Sequence, residues 1–543
     1  MAGRRAAAVV VLVLAAAVVF ALPVGRRPLF NQDEVRYAML AREVVDHARW
    51  ILPHVRGEVY LNKPPLFFWA VALVSLPAGA VTDTTAPLVS VVSALAGVLG
   101  VLAIGRRLWG FSAGFAAALI LATTPFYFFM AHQVLTDMML TAWLTWALYF
   151  YLRVTTAGGG AGAWLGFYLC VAGALGSKGP VALLGLLAAV AATLATDGRA
   201  GLRALRLPAG IGLIALTTLP WLLPYIFQTE KSYTRSVLVT DYLAWYFRSG
   251  GDSRLIGLGN YLGGFLPWTL FLIPAIWWWR VAPDRGRRRL LAWGAVFVAA
   301  IAISGSQRSR YFLPVLPVLA LLVGEFLVRA PAAVTASPSG AQIGARGRRA
   351  VAVVVAVLAV SAALGAAILL LVPELTGLGH NLIYVPAPGL ERWLVAVLAL
   401  TGAGAALVAA LRGAGGLAVT VRLAAALLAV LAVEAATYPA RYAHWYDVRS
   451  FVERVRKERP AGGVVLAHPD ASLAFDFYLR GAVREMPKTA DVQALVGRQS
   501  PKGVLLIREE RWTALQAGAD PSWREMASGT VAGRRMLLVG NGQ

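Results

Sequence analysis

The feature that most constrains this chain is a recurring apolar run of about 20 residues, the length an α-helix needs to cross the hydrocarbon core of a bilayer. Such runs fall near 6–25, 64–82, 86–104, 113–131, 138–154, 161–176, 179–196, 207–226, 256–280, 289–303, 309–329, 350–372, 391–411 and 417–437. Of the 543 residues, 59% are hydrophobic and only 14% are charged. A water-soluble domain carries about a quarter charged residues, so most of this chain is expected in lipid. The first run follows Arg4 and Arg5 and has no small-x-small cleavage site, so it reads as a retained first helix and not as a leader.

The formal charge of +23 does not point to nucleic acid. The arginines sit in short loops between apolar runs, as cytoplasmic loops do, and no basic face with interleaved aromatics accompanies them. Cys170 alone builds neither a disulfide framework nor a cysteine metal site. The six histidines show no ligand spacing such as H-x-x-x-H, so no metal is indicated and no cofactor is assigned.

Loop charge sets the threading. Arg4–Arg5, Arg106–Arg107, Arg153, Arg199/Arg203/Arg206, Arg285/Arg287–Arg289, Arg346/Arg348–Arg349 and Arg412 all reach the cytoplasm if the run 64–82 lies at the outer surface without crossing. That run opens on Pro64-Pro65 and is broken by Pro77 and Gly79, which suits an interfacial or re-entrant helix. The expectation is an all-α polytopic membrane protein of about thirteen transmembrane helices, N-terminus inside, in the inner membrane of a bacterium. Residues 1–439 form the membrane unit, whose outer loop 26–85 carries juxtamembrane helices. Residues 440–543 change in composition and read as a small extracytoplasmic α/β domain. It has an amphipathic helix over Asp447–Arg459, a helix over Leu473–Leu479, and strands at Val464–Ala467, Val504–Ile507 and Met536–Val539.

Under this threading the polar chemistry gathers on the outer face. The first outer loop holds Asp33-Glu34-Val35-Arg36-Tyr37 and Asn62-Lys63-Pro64-Pro65, Asp137 follows a later span, and Lys178 and Arg308-Ser309-Arg310-Tyr311 stand in outer turns. Adjacent carboxylates at a membrane surface are costly to desolvate, which suggests a paired or reacting site. Lysine is scarce: six of 50 basic residues. Before residue 440 the only lysines are Lys63, Lys178 and Lys231, all on the expected outer face. A compact ammonium suits a phosphate oxygen. A carboxylate can take a proton from an acceptor hydroxyl, and cations can stabilise charge developing on a phosphate leaving group. A lipid-linked phosphosugar supplies that phosphate at the right depth.

Asp33-Glu34-x-Arg36-Tyr37 followed by Lys63-Pro64-Pro65-Leu66 and Trp69 resembles the GT-C membrane glycosyltransferases of the aminoarabinose-transferase and protein-mannosyltransferase type. Gly105-Arg106-Arg107-Leu108-Trp109-Gly110, Thr136-Asp137-Met138, Ser177-Lys178-Gly179-Pro180 and Arg310-Tyr311-x-Leu313-Pro314-x-x-Pro317 resemble later landmarks of that family, in its order. The resemblance implies an inverting hexosyl or pentosyl transferase that moves one sugar from a polyprenyl-phosphate carrier to a glycolipid such as lipid A, a glycan or a protein hydroxyl. It implies catalytic roles for Asp33, Glu34 and Asp137, phosphate binding by Lys63, Lys178, Arg310 and Arg308, and support from Arg36, Tyr37 and Tyr311. The chain departs from the aminoarabinose transferases at Asn62, where an acidic residue is typical, and in the loop 227–255, which lacks their histidine. A protein O-mannosyltransferase-like enzyme is one alternative. A non-enzymatic lipid or sugar transporter is the other, although spans nearly free of charge speak against it.

Overall fold

The computed structural model describes residues 2–156, 159–227, 254–306, 308–333, 338–372, 386, 389–458, 464–468, 473–486, 488–497 and 503–541. Lys231 and the loop around it lie outside them. Among the described residues nine helices are long and apolar enough to cross a membrane, or eleven if two bent pairs each form one span. They include α1 (Ala2–Ala21), α4 (Leu88–Trp109), α8 (Gly160–Lys178), α9 (Leu183–Leu205) and α10 (Leu207–Phe227), followed later by the helices Leu390–Leu411 and Gly416–Trp445. One bent pair is α5 (Phe111–Ala122) with α6 (Pro125–Ala131), broken by 66° at Thr123-Thr124. Pro125 accounts for the restart, because a first-turn proline lacks only an N–H that has no helical partner there. Two further expected runs, 138–154 and 289–303, are the helices α7 (Thr136–Val154) and Arg285–Ile303. Charged residues at their ends lower their apolarity. Both spans and bent pairs place the chain as a multi-pass membrane protein.

The run 64–82 is α3 (Leu66–Ser75) with one 3-10 turn, Leu76–Ala78. At 1.5 Å per residue this piece is about 20 Å long, too short to span. It packs against α2 (Gln32–His47), and a two-stranded hairpin, β1 (His54–Val55) with β2 (Glu58–Val59), lies between them. Close helix crossings rest on small residues: a Cβ added at Gly105 of α4 would stand 2.5 Å from the backbone of Gly114 in α5.

At the end of the membrane unit opposite the Asp33 site, arginines expected in a loop are instead built into the fold. Arg287 and Arg289 are buried in the first turns of the helix Arg285–Ile303, which Asp284 caps through Arg287 N–H at 2.9 Å. Arg287 pairs with the buried Glu325, and Arg329 Nη1 reaches Glu325 at 3.1 Å and Asp284 at 3.2 Å. Arg289 joins Asp197 at 2.6 Å. Burial is tolerated because each charge has a partner.

The C-terminal part is a five-stranded mixed sheet, ordered β4-β3-β5-β7-β6, with helices around it. β3 (Val465–Ala467) runs parallel to β4 (Val483–Glu485) and β5 (Gly503–Arg508), while β7 (Arg534–Asn541) is antiparallel to β5 and β6 (Trp523–Val531). The amphipathic helix is Val448–Glu458, and it buries Phe451, Val452 and Val455. The expected strands correspond to β3, β5 and β7. Two more strands were not expected: β4 is three residues long, and β6 reads Trp-Arg-Glu-Met-Ala-Ser-Gly-Thr-Val, with no alternating apolar face.

Candidate active site

Helix α2 starts where the sequence says it should. Asn31 caps it, its side chain accepting from Asp33 N–H at 2.9 Å, and Asp33 and Glu34 occupy the first turn, where the helix dipole favours anions. Asp33, Arg36 and Tyr37 stand at i, i+3 and i+4, so they share one face. Glu34, one residue on, faces about 100° away. Two adjacent carboxylates are thereby sent to different places.

Asp33 is the hub of a cluster of guanidinium groups. Arg310 Nη2 donates to Asp33 Oδ2 at 2.9 Å, Arg36 Nη1 donates to Oδ1 at 3.0 Å, and Arg308 Nη1 stands 3.9 Å from Oδ2. Burial alone would raise the pKa of this carboxyl. The guanidinium groups of Arg310, Arg36 and Arg308 outweigh that and hold it below the usual carboxylate range. Asp33 is therefore a carboxylate at neutral pH, an acceptor of hydrogen bonds and of protons.

Asp137 and Lys178 form a second ion pair. Their meeting follows from helix polarity: Asp137 is in the first turn of α7 and Lys178 is the last residue of α8, the antiparallel neighbour. An acid at an N-terminus and a cation at a C-terminus each suit the local dipole. Gly179, at φ +79°, turns the chain directly after Lys178 in a conformation that L side chains rarely adopt. The Lys178 ammonium also lies 5.0 Å from the centre of the Tyr311 ring. Lys63 donates to the carbonyl of Asn62 at 3.1 Å. Burial, and then the neighbouring Lys178, push the Lys63 ammonium down to about 8.

Two cavities meet at Asp33. The smaller, about 400 Å³, is lined by Lys63, Asp137, Lys178, Tyr37 and Tyr311 and reaches down between apolar residues of α7 and of the helix Arg285–Ile303. The larger, about 1290 Å³, runs from Phe126 and Met130 of α6 to Arg508, Arg534 and Met536 of the C-terminal sheet. Asp33, Arg36, Arg308 and Arg310 line both.

Nine of the ten residues singled out in the sequence thus gather in one place, and Glu34 does not line either cavity. Its carboxylate accepts from Arg27 at 2.9 and 2.5 Å and from Val134 N–H at 3.0 Å, and Arg27 lies 4.9 Å from the Tyr442 ring. That pair is buried and joins α2 to the segment that leads into α7. Sequence reasoning missed Arg27, Arg508 and Arg534. Arg27 did leave a signal: it directly follows the first span on the expected outer face, where positive charge is disfavoured. Arg508 and Arg534 left none, since only the sheet brings them to the cavity. Among the described residues, no group of three or more His, Cys, Asp or Glu side chains is placed to hold a metal ion.

Comparison with known proteins fits this geometry. The family described as dolichyl-phosphate-mannose-protein mannosyltransferase matches residues 62–223. The undecaprenyl phosphate-alpha-4-amino-4-deoxy-L-arabinose arabinosyl transferase 1 of Pseudomonas fluorescens is 29% identical over 333 residues, which are 58% of this chain and 59% of that protein. The chain therefore spans about three fifths of the length of the curated relatives it matches. The crystal structure of ArnT from Cupriavidus metallidurans in the apo state superposes with a TM-score of 0.82 at 22% identity, covering 98% of both chains. The same protein bound to undecaprenyl phosphate gives 0.78 at 20% identity, again over 98% of both. Over nearly its whole length this chain thus shares the fold of ArnT, and parts of its sequence are similar to the arabinosyl transferases and to the mannosyltransferase family.

Proposed function

We propose that the chain is a glycosyltransferase that moves one sugar from a polyprenyl-phosphate carrier to an acceptor on the outer face of the bacterial inner membrane. The acceptor is lipid A or another envelope glycolipid or glycan. The observation that carries this reading is the place of Asp33: one carboxylate stands between a small cationic cavity and a large amphipathic one. The small cavity takes the donor, with Lys63, Lys178 and Arg310 around its phosphate. The large cavity takes the acceptor, with Arg308 and Arg36 at the shared wall. The acceptor oxygen attacks the anomeric carbon as Asp33 takes its proton. The bond from that carbon to the phosphate oxygen breaks, and the electron pair leaves on the polyprenyl phosphate, where the cations stabilise it. Attack from the face opposite the leaving group inverts the anomeric centre. Where the acceptor is itself a phosphate, no proton needs removing and Asp33 orients it. Asp137 holds Lys178 toward the donor phosphate, and Tyr37 and Tyr311 line its path.

The names of the relatives support the donor: one is named for an undecaprenyl-phosphate sugar, and a structure of like fold holds undecaprenyl phosphate. The mannosyltransferase match over residues 62–223 favours a protein hydroxyl as the second acceptor class. The proposed arrangement keeps the N-terminus in the cytoplasm, ends the membrane unit near residue 439, and puts residues 440–543 outside. The deciding experiment incubates the purified protein with a short polyprenyl-phosphate sugar and lipid A, envelope glycan or peptide acceptors, and reads products by mass. Addition of one sugar to a glycolipid is the expected result. Acceptors that all stay unmodified, while the donor crosses a liposome membrane, would overturn it in favour of a transporter.

A further inference from the structure

The face opposite the Asp33 site carries a separate feature. Between the helix Leu272–Val281 and the helix Pro338–Leu371 lies a groove of about 620 Å³ whose walls are apolar except at one end, where Arg346 and Arg349 stand. Hydrogen bonds fix the level of both walls. Arg348 Nη1 donates to the Pro331 carbonyl at 2.9 Å, which holds the arginine turn beside the end of the helix Leu316–Arg329. Trp278 Nε1 donates to Glu325 at 3.1 Å, which brings Trp277 to that same level. The arginines and Trp277 therefore mark one membrane–water interface, the level at which guanidinium and indole groups settle.

From Arg346 to Val357 the groove follows eleven residues of helix, about 16 Å at 1.5 Å per residue. Half of a bilayer's hydrocarbon core is about 15 Å. Val353 and Val357 on one wall and Ile273 on the other line that depth, and all three are exposed, so the protein does not fill the groove itself. Two cations at headgroup level above an apolar channel one leaflet deep match an acidic phospholipid in charge and in length.

We propose that this groove is a binding site for one acidic phospholipid of the leaflet opposite the Asp33 site. Its phosphate lies between Arg346 and Arg349, and one acyl chain lies along Val353, Val357 and Ile273. The site is distinct from both cavities at Asp33 and shares no residue with them.

The test titrates the full-length protein in detergent with dioleoyl phosphatidylglycerol, dioleoyl phosphatidylcholine, dihexanoyl phosphatidylglycerol and inorganic phosphate, and reads bound lipid by native mass spectrometry. The long-chain acidic lipid should bind on the order of tenfold tighter than the zwitterionic one. Arg346→Gln with Arg349→Gln should erase that preference. Val353→Trp, which fills the channel and leaves both arginines, should weaken binding by a similar factor. Neither change touches a buried side chain, and thermal unfolding checks that each variant folds. Equal binding of the two dioleoyl lipids to the wild type would overturn the proposal. So would undiminished binding in Val353→Trp, which would mean attraction to the charge of Arg346 and Arg349 alone. Displacement by inorganic phosphate or the dihexanoyl lipid as readily as by the long-chain lipid would overturn the acyl seat.

Discussion

Arg310 Nη2 meets Asp33 Oδ2 at 2.9 Å across 277 residues of chain, and this contact joins α2 to the turn that enters the span Ser309–Arg329. Two consequences follow from it. The carboxylate stays ionised, and the guanidinium is held at the wall of the cavity that the proposed reaction gives to the donor phosphate.

Replacement of Asp33 by Asn keeps the side chain's shape and removes its charge. With an acceptor that loses a hydroxyl proton, sugar transfer should fall by about a hundredfold or more, the usual range for loss of a general base. Rates at saturating donor and acceptor check this, with thermal unfolding as the control for fold. Wild-type rates in a folded Asp33→Asn protein would remove Asp33 from the reaction.

Lys63 gives a pH signature. Burial, then the nearby Lys178, lower its ammonium from 10.5 to about 8, so in the free protein it loses its proton as pH rises through that value. The charged form binds a phosphate, so kcat/KM for the donor should fall above pH ~8, as a free-enzyme profile reports. Lys63→Arg stays charged across this window and should flatten the limb. The same fall in both proteins would assign the limb to another group.

How far the sequence carried depends on what kind of signal each feature leaves. Apolar length located the helices, because crossing the hydrocarbon core demands it. The short string around Asp33 was legible because N-capping and helix periodicity are local. The fate of Glu34 was not: its neighbour in sequence faces the cavity, while it faces Arg27, and that partner is chosen by a fold that also brings Val134 alongside. Strand β6 was invisible for a related reason. Its polar sequence is held by pairing with β7 and by the amphipathic helix, where Phe451 packs against the bare backbone of Gly529. The buried arginines Arg287 and Arg289 read as loop charges, since only Glu325 and Asp197, far along the chain, make their burial tolerable.

The C-terminal part is held to residues 25–83 by several polar groups, among them Arg42, Tyr478, Arg449 and Arg56. Arg56 stands in the turn of the β1–β2 hairpin and pairs with both Asp476 and Glu485. Asp476 is buried, so removing Arg56 leaves its charge with only the weaker attraction of Arg42. Arg56→Ala should speed amide hydrogen exchange in β1, β2, β4 and the helix Ala474–Tyr478, with little change in the membrane helices. Uniform exchange across the chain would show that the sheet is held by other contacts, such as Arg449 with Asp83.

The Arg27–Glu34 pair separates a positioning residue from a catalytic one. Both side chains are buried, at 5% and 2% exposure, so removing one charge strands the other. Breaking a buried pair in this way costs about 3–5 kcal/mol, and Glu34→Gln or Arg27→Met alone should each lower thermal stability by that order. The double variant carries neither charge, and the amide oxygen that Glu34→Gln introduces can still accept from Val134 N–H. It should therefore recover most of the loss, since replacing both members of a buried pair is often close to neutral. Activity then decides the role. If Glu34 only fixes α2 against the segment before α7, the stable double variant should keep kcat within a few-fold of wild type, with any change in KM. If Glu34 took part in proton transfer, that variant would be as stable and yet inactive, because the charge cannot be restored by packing.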